Sequence, residues 1–313
     1  MNFADRLTRE VKKKKTPLVV GIDPRIGQLP AEILNERSRR EQNGQTKADA
    51  DAWAFESFSC GIIDVVAAHV PAVKPQMAFF EELGPAGMVA LGRVIDHAQN
   101  TGLIVILDGK RNDIGTTGEA YAAAYLGRRP KSPWGADSLT INPWMGYDTL
   151  TPFVNHAQKN DAGLFVLVKT SNPGSRDLQE QECGGRRLFE QVAAQVDRLS
   201  AQTRGACGYG IVGAVVGATF PQQLADLRRA MPHTLFLVPG FGAQGGSAAD
   251  VAGAFDQHGL GAVVNSSRGI NFAFANPQFR QAADTSWQKA VERATIDAVD
   301  RIASDTKAGR LRS

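Results

Sequence analysis

Cysteine is scarce: Cys60, Cys183 and Cys207 are the three thiols in 313 residues. Their odd number and wide spacing give neither a disulfide framework nor a metal-ligand pattern, which suits a reducing compartment. Cys60 lies in an apolar helical stretch and is expected in the core. Long hydrophobic runs are missing as well. None reaches the ~18 residues of a membrane span, and the N-terminus lacks the apolar centre of a signal peptide. Nor is there an excess of one charge sign: 35 basic and 32 acidic residues leave a formal net charge of +3. That balance gives no reason to expect nucleic acid, although a local positive field for a small anion would fit it. A cytoplasmic protein, with neither membrane nor nucleic acid as partner, is expected. The one dense basic run, the lysines at 12–15, reads as a solvated segment leading into the first strand.

With 43% hydrophobic and 21% charged residues, the chain can bury a large core. Short β-rich apolar runs recur along it, each closed by polar or glycine-rich residues. Strands are predicted at 17–23, 70–75, 103–108, 138–142, 163–169, 213–218, 235–239 and 262–266. Their continuous apolar character points to strands covered on both faces, as in a parallel sheet. Between them, helical spacing appears at 81–99, 185–203, 247–257 and 285–304, the third opening on Ser247 as N-cap. Eight strands alternating with helices in about 300 residues predict a (β/α)₈ TIM barrel, one domain over 1–313. An open doubly wound sheet is the alternative, but no GxGxxG follows the first strand. Two long loops, at about 24–47 and 172–209, are expected on the catalytic face, where either could act as a lid.

In such barrels the reactive groups come from the C-terminal ends of several strands. Here those ends hold Asp23, Lys74, Asp108 with Lys110, Asn142, Lys169 with Ser171, the loop 240–246, and Arg268. Any one of them reads equally well as a satisfied structural group; so many converging is harder to explain as structure alone. The run "PGFGAQGG" (239–246) is a glycine-rich turn entering a helix. Its Gly242, Gly245 and Gly246 let backbone N–H groups approach an anion such as phosphate. Arg268, after the next strand, adds a guanidinium suited to the same phosphate. In "VILDGKRNDIGTT" (105–117), the charges of Asp108, Lys110 and Asp113, together with Lys74, form a network in which acids and lysines hold each other ionised. Lys110 is then a fixed cation suited to protonating a carbanion. The same DxKxxD spacing would also hold Mg²⁺, though a lysine between the acids already occupies that place.

The segments "DGKRNDIGTT", "KTSNPGS" and "PGFGAQGG…NSSRGI" together closely resemble the orotidine 5′-phosphate decarboxylase family, from about Asp23 to Arg268. The long loops resemble its second subfamily. The resemblance implies that orotidine 5′-monophosphate is converted to uridine 5′-monophosphate and CO₂ in pyrimidine biosynthesis, without metal or organic cofactor. It implies that Asp23 and Lys74 bind the ribose hydroxyls, Asp108 faces the substrate carboxylate, and Lys110 protonates C6. Ser171 would contact the pyrimidine edge, with Gln244 and Arg268 clamping the phosphate. Asp113 and Thr117 would enter the site of a second subunit, implying a homodimer. Ser267 stands where many relatives have glycine. Two rivals are kept: a metal-dependent sugar-phosphate decarboxylase or aldolase of the same superfamily, and a non-catalytic nucleotide-phosphate binder. "KTSNPGS" argues against the first, and the intact Asp108–Lys110–Asp113 set against the second.

Overall fold

The computed structural model describes residues 1–241, 247–283 and 286–312. Eight parallel strands close into a barrel: β1 (Leu18–Ile22), β2 (Ala72–Pro75), β3 (Ile104–Arg111), β4 (Ser138–Ile141), β5 (Gly163–Lys169), β6 (Val212–Val216), β7 (Phe236–Val238) and β8 (Ala262–Ser266). Each pairs with its neighbours in chain order, and β8 closes on β1 through Val19 opposite Asn265. Every predicted strand is present, most of them shorter than predicted by a residue or two at an end. β3 departs most, running three residues further, to Arg111. The strands are buried almost throughout, because helices cover the outside while side chains fill the inside.

A helix not foreseen from the sequence precedes the barrel: α1 (Phe3–Lys14), capped by the Asn2 side chain, which accepts from Asp5 N–H. The lysine run is its last turn, where cations favour the helix dipole, and Lys15 ends it in the left-handed conformation. The i, i+4 spacing of Phe3, Leu7 and Val11 marks the buried face. Phe3 meets Phe165 of β5 edge to face with centroids 6.0 Å apart, so α1 closes the N-terminal end of the barrel. Arg6 pairs there with the fully buried Asp137 at 2.6 Å, and Arg128 reaches the same carboxylate at 2.7 Å.

The loop expected at 24–47 is largely helical. It holds a 3₁₀ turn (Ile26–Gln28) and α2 (Ala31–Gln42), which lies on α3 (Lys47–Val66). Arg37 of α2 pairs with buried Asp51 at 2.7 Å, and Arg40 stacks 4.2 Å over the Trp53 ring, so the segment is tied down. The stretch 81–99 is split into α4 (Met77–Glu81) and α5 (Gly84–Asn100), with Gly84 at φ +64° where α5 begins. After β3 and β4 come α6 (Gly115–Tyr125) and α7 (Thr151–Lys159). The second long loop contains α8 (Ser175–Gln179) and a small hairpin, Glu182–Cys183 against Arg186–Arg187. Gly184 and Gly185 make its turn at φ +63° and +78°, where two positive φ values favour glycine. Then follow α9 (Leu188–Gln202), α10 (Pro221–Ala230), α11 (Ala248–Val251), α12 (Arg268–Asn271), α13 (Arg280–Ala283) and α14 (Trp287–Asp305).

The helix expected over 247–257 is only α11 and a 3₁₀ turn, though Ser247 caps it as predicted, its hydroxyl accepting from Asp250 N–H. Cys60 is half-buried against the core, and burial pushes its thiol up to about 12. Behind Arg268, the rings of Phe58, Phe272 and Trp287 pack together, with Phe58 5.3 Å from Trp287. This aromatic cluster fixes the start of the segment following β8.

The seat of α1 is sensitive at Gly163, where an added Cβ would fall 2.0 Å from the Phe3 ring. Gly163→Ala is expected to lower stability by about 1–3 kcal/mol through overpacking. Thermal unfolding checks this, and a Phe3→Ala background should remove most of the penalty, since the two sites share one contact.

Candidate active site

The C-terminal ends of the barrel strands surround a cavity of about 180 Å³, lined by Asp23, Lys74, Gln76, Asp108, Asn265 and Arg268 among others. At its base lies the carboxylate of Asp108, 7% exposed and almost fully engaged. Oδ2 accepts from Lys74 Nζ at 2.7 Å and from Gln76 Nε2 at 3.1 Å. Oδ1 accepts from Lys110 Nζ at 2.6 Å and from the Thr140 hydroxyl at 2.9 Å. Burial alone would favour the neutral acid, but the two ammonium groups outweigh it and hold Asp108 well below the usual carboxylate range. Lys74 is subject to the converse balance. Burial would strip its proton, yet the charges of Asp108 and Asp23 hold its affinity above the ordinary lysine value. The result is an alternating row of charges at the mouth of the barrel.

The chain builds this row through an irregularity. β3 loses register with β4 between Leu107 and Arg111, and Lys110 within that bulge has φ +48°. A left-handed lysine is rare, because its Cβ crowds the backbone. Here the bulge brings Lys110 Nζ back onto Asp108, two residues earlier in the same strand.

Two polar atoms lining the cavity, Asp23 Oδ1 and Asn265 Oδ1, are buried and unbonded among the described residues, as is Ser171 Oγ at the end of β5. Such atoms cost free energy unless something outside the chain meets them. Asp23 is held ready for that by Asn271, which is fully buried. Its Oδ1 accepts from Asp23 N–H at 2.9 Å, and its Nδ2 donates to the Gly21 carbonyl at 2.7 Å. Arg268 opens α12 and is exposed at the cavity rim.

The predicted residues therefore divide. Asp23, Lys74, Asp108 and Arg268 line one cavity, and Lys110 joins it through Asp108. Asp113 and Thr117 do not line it: they sit at the N-terminal end of α6, Asp113 half-exposed and Thr117 exposed. Ser171 lies against Gly217 at the end of β6, where a Cβ would meet its hydroxyl at 2.3 Å. Gln244, Gly242, Gly245 and Gly246 lie outside the described residues.

Two strand-end groups leave the expected set. Lys169 turns away, 1% exposed, donating to Ser175 Oγ at 2.9 Å and pairing with Glu180 at 3.1 Å. It lies 5.1 Å from the centre of the Phe220 ring. Fully buried beside a loop rich in acceptors, it fastens the segment after β5. Gln179 helps by accepting from Thr170 N–H at 2.9 Å. Asn142 is tied to Trp144 N–H at 3.0 Å and faces a different, mostly apolar cavity of about 570 Å³ between the β4 loop and α9. That larger space is lined by neither a carboxylate nor an ammonium group, so the smaller one is the candidate chemical centre. The sequence reading missed Gln76, Thr140, Asn265 and Asn271. The available signal was a polar side chain inside or just beyond a continuously buried run, which must find a partner. No group of three or more His, Cys, Asp or Glu side chains among the described residues is disposed to hold a metal ion. None of the described helices is long and apolar enough to cross a membrane.

Removing the charge of Asp108 leaves Lys74 buried without a counter-ion, so Asp108→Asn is expected to cost about 3–5 kcal/mol in urea unfolding at neutral pH. The sign of its pH dependence follows from the depressed acid. Asp108 contributes its full stabilisation above its unfolded value of about 3.9, and loses it as pH falls toward the lower folded value. The gap between parent and variant should stay level from about pH 5 to 8 and narrow below about pH 4.

Residues 17–307 match the family model described as "Orotidine 5'-phosphate decarboxylase / HUMPS family". An orotidine 5′-phosphate decarboxylase of Rhodopirellula baltica is 53% identical over 305 residues, covering 96% of this chain and 99% of that protein. One from Deinococcus radiodurans is 42% identical over 272 residues, covering 87% and 89%. The solved structure of Leishmania donovani OMP decarboxylase shares 32% identity at a TM-score of 0.72, covering 97% of this chain and 98% of that one. Barrel, charged row and matched length agree: the chain belongs to the orotidine 5′-phosphate decarboxylase / HUMPS family.

Proposed function

We infer that the cavity receives orotidine 5′-monophosphate and releases uridine 5′-monophosphate and CO₂. The chain is a decarboxylating enzyme of pyrimidine biosynthesis and works as one barrel domain over 1–313. The observation that carries this reading is the Lys74–Asp108–Lys110 row, with contacts of 2.7 and 2.6 Å, set beside Arg268 in one cavity. Arg268, with Gln244 and the glycines at 242, 245 and 246, grips the 5′-phosphate. Asp23, whose Oδ1 lacks a partner among the described residues, and Lys74 take the ribose hydroxyls. The Ser171 hydroxyl, unbonded in the same way, takes the pyrimidine edge. The substrate carboxylate then lies against Asp108. As the C6–CO₂ bond breaks, its electron pair stays on C6 and CO₂ departs. The Lys110 ammonium stabilises that charge and delivers its proton to C6, becoming a neutral amine that regains a proton from solvent. A preformed cation at a developing charge needs little reorganisation in the transition state.

The metal-dependent alternative would need Asp108 as a ligand, yet both its oxygens already accept from lysines, from Gln76 and from Thr140. Lys110→Ala should remove at least about 3–4 kcal/mol of transition-state stabilisation while uridine 5′-monophosphate still binds. Following orotidylate absorbance, with and without EDTA, tests activity and metal dependence together. Turnover near the parent's in Lys110→Ala would take the proton donor's role from Lys110.

The working unit is a homodimer in which Asp113 and Thr117 enter the partner's site. Supporting this, the loops after β3 and β4 carry exposed apolar side chains: Ile114 at 58%, next to Asp113, and Trp144 at 67% and Met145 at 48%. The β3 and β4 loops that carry these residues are joined, Asn112 Nδ2 donating to Thr149 Oγ1 at 2.9 Å. Mixing inactive Lys110→Ala and Asp113→Ala variants under subunit exchange should restore about a quarter of parental activity, since half the dimers are mixed and each has one complete site. No recovery, with exchange confirmed, means that Asp113 serves its own subunit.

A further inference from the structure

The bulge that presents Lys110 is strained, and one hydroxyl holds it. Thr140 of β4 is 1% exposed, and its Oγ1 makes two hydrogen bonds of opposite sense. It accepts from the Lys110 backbone N–H at 2.9 Å and donates to Asp108 Oδ1 at 2.9 Å. A hydroxyl can do both at once because it carries one proton and two lone pairs. The N–H it captures belongs to the residue at φ +48°, where β3 and β4 have lost register. There the regular ladder supplies no partner for that N–H, and the side chain of Thr140 replaces it. The other side of the bulge is held as well. Arg111 Nη1 donates to the Gly109 carbonyl at 2.8 Å, and the Arg111 guanidinium pairs with Glu81. Gly109 has no room for a Cβ, which would meet Met77 Sδ at 2.6 Å.

We propose that Thr140 is a positioning residue for the Lys110 ammonium: its hydroxyl clamps the left-handed backbone of Lys110 to Asp108, fixing where the lysine ends and which oxygen it shares. The assignment rests on the reading of Lys110 as proton donor. Strained backbone persists only where its surroundings over-determine it. Lys110 Nζ and Thr140 Oγ1 converge on the same Asp108 oxygen, so one carboxylate position sets both. Loss of the hydroxyl frees the backbone of Lys110 to relax toward negative φ and swings the ammonium away from the reacting carbon. The phosphate and ribose contacts, made by other strands, are untouched.

Thr140→Val removes the hydroxyl at nearly constant volume, Thr140→Ala removes it without any risk of overpacking, and Thr140→Ser keeps it. The two hydroxyl-free variants should lose kcat on the order of 10²-fold, the cost of misplacing a catalytic group by about an ångström. KM for orotidine 5′-monophosphate and affinity for uridine 5′-monophosphate should stay within about threefold, because binding contacts are unchanged. Thr140→Ser should restore most of kcat. Crystal structures of the Val or Ala variant should show Lys110 out of the left-handed region and its Nζ parted from Asp108. Near-parental kcat without the hydroxyl overturns the proposal. So does loss of nucleotide binding in step with kcat, or equal loss in the Ser variant, since either assigns Thr140 to holding the barrel. A Lys110 unchanged in φ and in its Asp108 contact also overturns it. That last readout needs no turnover, so it judges Thr140 even where an inactive parent protein would defeat the decarboxylase reading itself.

Discussion

A single buried carboxylate organises this candidate active site. Asp108 sits within β3 with two lysine ammonium groups within 2.7 Å, and among the described residues neither lysine has another counter-ion so close. Taking one charge of either sign out of water is costly, and three held in alternation offset one another. The arrangement explains why Lys74, almost completely buried at the end of a different strand, stays protonated. It also fixes the Lys110 Nζ, 2.6 Å from Asp108 Oδ1, in a place set by the fold. The electrostatic work of arranging these charges at the rim is thus done during folding.

The barrel serves that row by geometry. Parallel strands bring the ends of β1, β2, β3 and β8 to one rim, so residues as far apart as Asp23 and Arg268 line one cavity. Less visible supports aim the groups. Asn271 ties the Asp23 backbone to β1, and the rings of Phe58, Phe272 and Trp287 anchor the segment that carries Arg268. Lys169, buried and fastened to Ser175 and Glu180, performs the same service for the loop bearing Ser171. At the opposite end, α1 plugs the barrel through Phe3 and through the pairing of Arg6 with Asp137. One rim is built for chemistry and the other for stability.

The eight strands and their order of use were legible in the sequence because a parallel barrel buries its strands on both faces, leaving continuous apolar runs. So was the convergence of Asp23, Lys74, Asp108 and Arg268 on one cavity, which Lys110 joins through Asp108, since each stands just after such a run. α1 was overlooked because its lysine-rich last turn hides an apolar face that repeats only at Phe3, Leu7 and Val11. The helix in 24–47 was overlooked because its stability comes from tertiary contacts, the pairing of Arg37 with Asp51 and the stacking of Arg40 on Trp53.

Strand position alone determined that Lys169 and Asn142 would end near the rim; only packing decided where they point. A residue at a strand end can turn inward, outward or along the loop, and that choice depends on neighbours distant in sequence. Glu180 and Phe220 draw Lys169 outward. The left-handed turn at Lys110 is of the same kind. The register shift against β4 and the capture of the Lys110 N–H by Thr140 exist only once the two strands lie side by side. The sequence by itself determined the inventory of charges and the strands that deliver them. Their orientation belongs to the tertiary structure, because it is set by hydrogen bonds and ion pairs between strands whose spacing along the chain carries no information about angle.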